Sequence, residues 1–174
     1  MNAVNAVIEA VRKPASDADV DQLAQLLLDA VDSNAGVSFV RPLSLEKARE
    51  FWRSTIDRAD RRAVFLVARD AQGIVGTVQL QPAWAPNQPH RADIAKLIVH
   101  RRARRRGIGR ALMAAIEARA RAGGFTLLTL DTVVGDPAER LYASTGWHRV
   151  GAIPNYALYP DGTPHAAVIF YKNV

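Results

Sequence analysis

Apolar residues recur along this chain with two different periods, which separate predicted strands from predicted helices. Residues 4–11 form a predicted first strand. Ser16 or Asp17 then caps a helix that ends near Ser33, and Ser44 caps a second helix. The apolar positions of these helices recur every three or four residues: Val20, Leu23, Leu27, Ala30 and Val31 in the first, and Leu45, Ala48, Trp52 and Ile56 in the second.

The middle of the chain is predicted to contain three consecutive strands. Residues 63–69 form a continuous apolar strand, and residues 74–80 return as the second arm of a hairpin across a turn at 70–73. A loop with three prolines at 82–89 separates the hairpin from a further strand at 92–99. A meander of three strands therefore follows the two helices.

The last part of the chain adds two helices and three strands. The predicted elements are a helix over 108–122, a strand over 125–131, a short helix over 136–144 and a terminal hairpin of 147–159 with 166–171. Gly123-Gly124 ends the first of these helices, and Asp136, followed by proline and by Glu139 three residues on, opens the second. The order of elements is β-α-α-β-β-β-α-β-α-β-β.

The composition limits the class of protein. A chain of 174 residues with 49% apolar residues can bury one core but is short for two, so we expect a single domain over 1–174. The chain has no cysteine, which excludes disulfides, thiolate metal ligands and a cysteine nucleophile. Its four histidines show no metal-ligand spacing, and no segment is typical of a membrane span or a secretion signal. We expect a cytoplasmic protein with no metal and no membrane contact.

The net charge of +6 is concentrated in one loop. Residues 101–110 contain six arginines, together with Gly107 and Gly109, between a buried strand and the start of a helix. Glycines let a ligand approach the backbone, and the free N–H groups of a helix start attract anions. The layout indicates a phosphate site, with a solvated cationic turn as the alternative. Nucleic-acid binding is disfavoured because the arginines are neither spread over a surface nor interleaved with aromatic residues.

The motif Arg104-x-x-Gly107-x-Gly109, placed between the fourth strand and the third helix, resembles the motif of the Gcn5-related N-acetyltransferase (GNAT) family. The resemblance spans nearly the whole chain, because three further pairs fall at the expected distances: Leu97-x-Val99, Leu141-Tyr142 and Gly146-Trp147. Within the family, the chain is most similar to the tabtoxin-resistance type of acetyltransferase, on segments 91–93, 130–132, 149–151 and 156–162.

Two positions depart from the pattern of that family. Arg104-Arg105 stands where an Arg-Gly pair is common, and Gly135 stands where many members carry an asparagine that contacts the cofactor arm. The first change keeps both glycines of the motif. The second removes one side-chain contact to the cofactor and leaves the phosphate site intact.

The resemblance implies an α/β fold with a mixed, mostly antiparallel seven-stranded sheet and helices on both faces. It also implies acetyl-CoA as cosubstrate. The pantetheine arm would bond to the backbone of the fourth strand where that strand splays from the next, and an N–H near Leu97 to Val99 would polarise the thioester. The residues expected to bind the cofactor are Leu97, Ile98, Val99, Arg104, Arg105, Arg106, Gly107, Ile108, Gly109 and Arg110.

The arginines of the loop cannot all face one ligand. Backbone N–H groups over 105–110 suit the pyrophosphate of coenzyme A, and guanidinium groups over 101–106 suit its ribose phosphate. We expect Arg104 and Arg106 to face the cofactor. Arg101 and Arg102 are expected to face mainly solvent.

Acetyl transfer to an amine also needs a group that accepts the proton of the amine. Asp93 and Asp131 lie on otherwise apolar strands, where an unpaired charge is costly, so both are candidates. Asp93 is slightly favoured because it shares the strand of the thioester contacts, and a period of two places it on the same side as Leu97 and Val99. The alternatives are an ion pair of Asp93 with Arg91 or Lys96, and a turn contact of Asp131 with Thr132.

Tyr142 is the candidate for the acid that protonates the departing thiolate. A phenol with a pKa near about 10 is protonated at neutral pH and can donate a proton, and the resemblance implies this role. The alternative is an aromatic side chain that only packs in the core. His100 is disfavoured as a base because it follows the strand and leads into the arginine loop.

Together these observations predict an acetyl-CoA-dependent N-acetyltransferase that transfers the acetyl group directly to a primary amine. The expected acceptor is a small cationic metabolite or a toxin-like or antibiotic-like molecule. An acyl-CoA-binding module without turnover and a protein N-acetyltransferase are the alternatives, and the retention of Asp93, Asp131 and Tyr142 argues against the first. Coenzyme A and the amine are the expected partners, with no specific nucleic acid, in a monomer or a homodimer.

Overall fold

A seven-stranded sheet forms the centre of the computed structural model, which describes residues 6–174. Its strands are β1 (Val7–Ala10), β2 (Val64–Asp70), β3 (Gly73–Pro82), β4 (Arg91–Val99), β5 (Leu127–Val133), β6 (His148–Leu158) and β7 (Pro164–Asn173). Its α-helices are α1 (Asp17–Asp32), α2 (Leu45–Asp57), α3 (Ile108–Ala122) and α4 (Pro137–Ala143). The order of elements is the predicted one. Residues 4 and 5 of the predicted first strand lie outside the described residues.

The strands lie in the order β1-β2-β3-β4-β5-β7-β6. Strands β4 and β5 are parallel, and the other neighbouring pairs are antiparallel. The prediction of a mixed, mostly antiparallel sheet is therefore confirmed. Among residues 6–174, none of the helices combines the length and apolar character that a bilayer crossing requires.

Two serine caps begin the first helices as expected. The hydroxyl of Ser16 accepts from the N–H of Asp19 at 3.1 Å, and the hydroxyl of Ser44 accepts from the N–H of Lys47 at 3.2 Å. The start of α4 differs, because the side chain of Asp136 makes no capping bond. A carboxylate oxygen of Glu139 instead accepts from the N–H of Gly135 at 2.6 Å, so the predicted capping box does not form.

Each face of the sheet carries its own hydrophobic core. Helices α1 and α2 cover one face, where Leu23, Leu27, Trp52 and Ile56 are fully buried. Helices α3 and α4 cover the other, with Leu112 and Ile116 of α3 against Leu80, Leu128 and Phe170 of the sheet. The predicted placement of helices on both faces is confirmed.

Glu117, a buried carboxylate of α3, connects that helix to strand β7 and to Trp147. Glu117 accepts from the indole N–H of Trp147 at 2.9 Å and from the ammonium of Lys172 at 2.7 Å. Its side chain is only 8% exposed. Removal of such a partner leaves the remaining charge and donor without compensation in the interior.

We expect Glu117→Ala to lower the free energy of unfolding by about 3 to 5 kcal/mol, because Trp147 then loses its acceptor and Lys172 keeps only the neutral carbonyl of Thr145. Glu50→Ala, at an exposed position of α2, is the matched control and should change it by less than about 0.5 kcal/mol. Denaturant unfolding followed by circular dichroism measures both values. A loss below about 1 kcal/mol for Glu117→Ala would contradict the role given to this network.

Candidate active site

Strands β4 and β5 part halfway along their length. They pair as Arg91 with Leu127, Ala92 with Leu128 and Asp93 with Thr129, and no further pair forms although β4 continues to Val99 and β5 to Val133. Backbone N–H and C=O groups on the facing edges are therefore left for another partner. The splay that the family resemblance implied at this strand is present.

A bulge in β4 lies beside this opening. Gln79 of β3 pairs with Ala95, but Thr77 pairs with Ile98, so β4 holds one extra residue, and Lys96 has a left-handed φ of 52°. Ile94, Leu97 and Val99 consequently pack toward the core under α3, and Ile98 packs toward the core under α1 and α2.

The bulge corrects one expectation about Asp93. Its neighbours Ala92 and Ile94 belong to the core under α3, so Asp93 projects from the opposite face. A strict period of two across the strand had placed it on the side of Leu97 and Val99, and this prediction is wrong. The extra residue shifts the alternation between Asp93 and Leu97.

Asp93 is bound at the point where the strands part. Its carboxylate accepts from the guanidinium of Arg91 and from the hydroxyl of Thr129, and Arg91 also donates to that hydroxyl at 2.7 Å. Because Thr129 is the last residue of β5 that pairs with β4, these bonds join the two strands at the vertex of the opening. The ion pair with Arg91, one of the alternatives considered for Asp93, is formed.

A cavity of about 610 Å³ occupies the opening between the strands. Four segments contribute most of its wall: 35–40 between α1 and α2, 94–97 at the bulge, 131–133 at the end of β5, and 156–158 in β6. Asp131 and Tyr142 both line it, and Asp93 does not. The structure thus brings together two of the three residues that the sequence indicated for catalysis.

Tyr142 reaches the cavity from the core under α3. The residue is 5% exposed, and its ring packs against Trp147 and Phe170 with centroids 5.9 Å away in each case. Burial raises the pKa of its hydroxyl far above the usual range, and the charge of Asp131 raises it further. The phenol is therefore protonated at neutral pH, and it makes no hydrogen bond with any described residue.

Asp131 contributes an unpaired carboxylate to the same cavity. The residue is exposed, and within residues 6–174 it forms neither an ion pair nor a hydrogen bond, so the turn contact with Thr132 is not formed. Its negative charge adds to the raised pKa of Tyr142, and it partly offsets the lowering of the Lys96 pKa that burial causes. An exposed, unpaired carboxylate in a cavity can attract a cation and accept a proton.

Lys96, Asp136 and His165 also line the cavity, and the sequence did not indicate them as site residues. Burial raises the pKa of Asp136, an effect that His165 and Arg140 partly offset. A lysine inside an apolar strand was the available signal for Lys96, which the sequence suggested only as a partner of Asp93. The capping pattern assigned the side chain of Asp136 to the start of α4, so its position in the cavity wall was not predicted.

The start of α3 has the features of an anion site. Gly107 has a φ of 80°, which favours glycine, and no side chain of residues 6–174 caps the first N–H groups of the helix. A Cβ on Gly107 would meet nothing within 4 Å. A Cβ on Gly109 would lie 3.5 Å from Leu141 and 3.8 Å from Val99, which is ordinary contact. Because neither residue carries a side chain, the first N–H groups of α3 stay accessible to a ligand.

Four of the six arginines make internal side-chain bonds, and two of these four bind carboxylates. Arg101 pairs with Asp29 and Arg102 with Asp70, and these carboxylates are only 9% and 14% exposed. Both arginines are exposed residues, as expected, and each also neutralises a nearly buried acid. Arg104 donates to the carbonyl of Val99 at 3.0 Å and to the hydroxyl of Ser33 at 3.2 Å.

The remaining arginines are less constrained. Arg105 and Arg106 make no side-chain hydrogen bond with a described residue, and Arg110 donates to the hydroxyl of Ser144 at 3.0 Å. These three are free of carboxylate partners within 4.0 Å in the described part of the chain. His100 accepts from the N–H of Arg102 at 3.1 Å and lies in the loop, away from the cavity wall.

Comparison with known proteins links this geometry to a family. Residues 26–147 match the model of the acetyltransferase (GNAT) family. A relative from Azospirillum brasilense, described as an uncharacterized N-acetyltransferase in the hisH-hisA intergenic region, is 32% identical over 115 residues. The matched segment makes up 65% of this chain and 67% of that relative.

Solved structures share the fold across nearly the whole chain. A ribosomal-protein-alanine N-acetyltransferase from Brucella melitensis has a TM-score of 0.80 at 24% identity, covering 97% of this chain and 99% of its own. The putative acetyltransferase yncA of Salmonella typhimurium, solved with its cofactor acetyl-CoA, has a TM-score of 0.76 at 17% identity, covering 99% and 94%. At these identities the likeness supports the fold.

Proposed function

Because the chain belongs to the acetyltransferase (GNAT) family and is an acetyl-CoA-dependent N-acetyltransferase, we propose that it transfers the acetyl group directly to a primary amine of a small molecule. The observation that carries this proposal is the cavity at the parting of β4 and β5, which combines an unpaired carboxylate, Asp131, with a protonated phenol, Tyr142. Similarity to the tabtoxin-resistance type supports a toxin-like or antibiotic-like acceptor.

The start of α3 suits the pyrophosphate of coenzyme A. The open N–H groups of residues 107–110 present the positive end of the helix, and Arg105, Arg106 and Arg110 supply cations. Arg104 supports the site indirectly, because its guanidinium holds the carbonyl of Val99 at the end of β4. The unpaired edges of β4 and β5 offer the backbone groups that an amide-containing arm can bond.

Asp131 is the residue to which we assign the amine. Its carboxylate is exposed to the cavity and has no competing cation within 4.0 Å among the described residues, so an ammonium group can bind there and lose its proton to it. Asp93 is assigned a positioning role instead, because its carboxylate already binds Arg91 and Thr129 outside the cavity.

Tyr142 is assigned the protonation of the departing thiolate. Its raised pKa, caused first by burial and then by the charge of Asp131, keeps the proton on the phenol until it is needed. When Asp131 accepts the proton of the amine, its negative charge disappears and the phenol becomes more acidic. Protonation of Asp131 thus favours proton donation by Tyr142.

Release of coenzyme A thiol tests the function directly. The wild type should release thiol from acetyl-CoA only when an amine is present, and coenzyme A should raise its melting temperature. Gly109→Glu should abolish both, because a carboxylate beside the open N–H groups repels the pyrophosphate. Gly151→Glu, at an open position on β6, is the matched control and should keep both. An unchanged melting shift in Gly109→Glu would overturn the phosphate assignment.

Tyr142→Phe should lower kcat by about 10²- to 10⁴-fold without weakening coenzyme A binding, because the ring still packs but the proton donor is gone. Steady-state kinetics with an active amine, and the melting shift caused by coenzyme A, measure the two effects. Tyr171→Phe, whose ring stacks on His148 away from the cavity, should behave as wild type. A wild-type kcat in Tyr142→Phe would show that Tyr142 does not protonate the departing thiolate.

The two aspartates should differ in their effect on the pH profile. Asp131→Asn should lower kcat/KM by about 10²-fold or more and remove the acidic limb, in which activity falls as the base becomes protonated. Asp93→Asn should keep that limb and lower the melting temperature, because it weakens the bonds between β4 and β5.

Thr129→Val is the control for the positioning role of Asp93. It removes the hydroxyl that joins the two strands and keeps the carboxylate, so it should reproduce the effects of Asp93→Asn. A lost acidic limb in Asp93→Asn together with wild-type behaviour of Thr129→Val would instead make Asp93 the base.

A further inference from the structure

Lys96 is placed in the cavity by an unusual backbone. It occupies the bulge of β4 with a φ of 52°, and its ammonium donates to the hydroxyl of Ser38 at 2.9 Å across the cavity. The ammonium also lies 5.9 Å from the centroid of the Phe51 ring. A left-handed conformation is costly for a residue with a Cβ, and such strain is typical of functional sites.

The charge of Lys96 is not neutralised at contact distance. Within residues 6–174, no carboxylate oxygen lies within 4.0 Å of its ammonium, and its hydrogen-bond partner is a neutral hydroxyl. Burial lowers its pKa, and only the more distant charge of Asp131 opposes this effect. A partly buried cation without a contact anion is unfavourable, unless a ligand completes the pair.

The other ionisable groups of the cavity wall are arranged around this cation. Asp131 and Asp136 are acidic, and burial raises the pKa of Asp136, an effect that nearby His165 partly offsets. Asp131 belongs to β5, across the opening from the bulge of β4. Among the described residues, the cavity therefore presents two carboxylates without an ion-pair partner, Asp131 and Asp136, and one such ammonium, Lys96. Asp131 and Lys96 lie on opposite strands of the opening.

We infer that Lys96 binds an oxyanion of the acceptor, so that the amine substrate also carries a carboxylate or a phosphate group. This inference rests on the proposed function, because it requires that the amine binds at Asp131. The oxyanion accepts a hydrogen bond from the ammonium of Lys96, in place of the hydroxyl of Ser38 or together with it. The amine of the same molecule binds the carboxylate of Asp131 on the other side of the opening. Lys96 thereby selects zwitterionic amines over plain alkylamines.

Pairs of amines that differ by one oxyanion test the inference. Thiol release from acetyl-CoA is measured with leucine against isopentylamine, phenylalanine against 2-phenylethylamine, 4-aminobutanoate against propylamine, and O-phosphoethanolamine against ethanolamine. The wild type should favour the oxyanion-bearing member of at least one pair by about 10- to 100-fold in kcat/KM, the effect of one charged hydrogen bond. The pair that responds distinguishes carboxylate from phosphate.

Substitutions at Lys96 separate binding from structural support. Lys96→Met keeps the length of the side chain and the same backbone strain, and it should lower kcat/KM for the oxyanion-bearing amine far more than for its plain partner. Lys96→Arg keeps the charge and should restore the preference. Lys47→Met, at an exposed position of α2, is the matched control and should keep wild-type preference.

Each outcome decides between the alternatives. Equal use of both members of every pair by the wild type would overturn the inference and leave the proposed function standing, and this comparison does not depend on the folding of any variant. An equal loss of kcat/KM for both members in Lys96→Met would also overturn it, because a purely structural lysine has that effect. Absence of thiol release with every amine would overturn the proposed function and the inference with it.

Discussion

The parting of β4 and β5 is the constraint on which the rest of the structure depends. Two parallel strands that stop pairing leave polar backbone groups exposed on both edges, which is unfavourable unless a ligand or water completes their hydrogen bonds. The bonds among Arg91, Asp93 and Thr129 fix where the parting begins. The separate cores on the two faces of the sheet hold both strands in place on either side of the gap.

Most of the fold could be predicted from local sequence. Apolar positions recurring every three or four residues, together with serine caps, predicted α1 and α2, and the turn at 70–73 predicted the hairpin of β2 and β3. These signals act over a few residues. The capping pattern at Asp136 misled, since the spacing is compatible with a capping box but Glu139 bonds to Gly135 instead. Residue types alone do not reveal which N–H a carboxylate reaches.

The site could be predicted only in part, because its geometry depends on contacts distant in sequence. Asp131 and Tyr142 were indicated and both line the cavity, although the sequence could not show their proximity. The bulge at Lys96 was missed, and with it the true face of Asp93, since one extra residue leaves no trace in the apolar pattern. The partners of Arg101 and Arg102 lie in α1 and β2, 72 and 32 residues away.

A crystal structure with acetyl-CoA tests the central claim most directly, namely that the opening between β4 and β5 is where donor and acceptor meet. The account predicts that the pantetheine arm lies in this opening and bonds to the backbone of β4 beyond Asp93, with the pyrophosphate on the N–H groups at the start of α3. A cofactor bound elsewhere, with the edges of β4 and β5 left without it, would contradict the account.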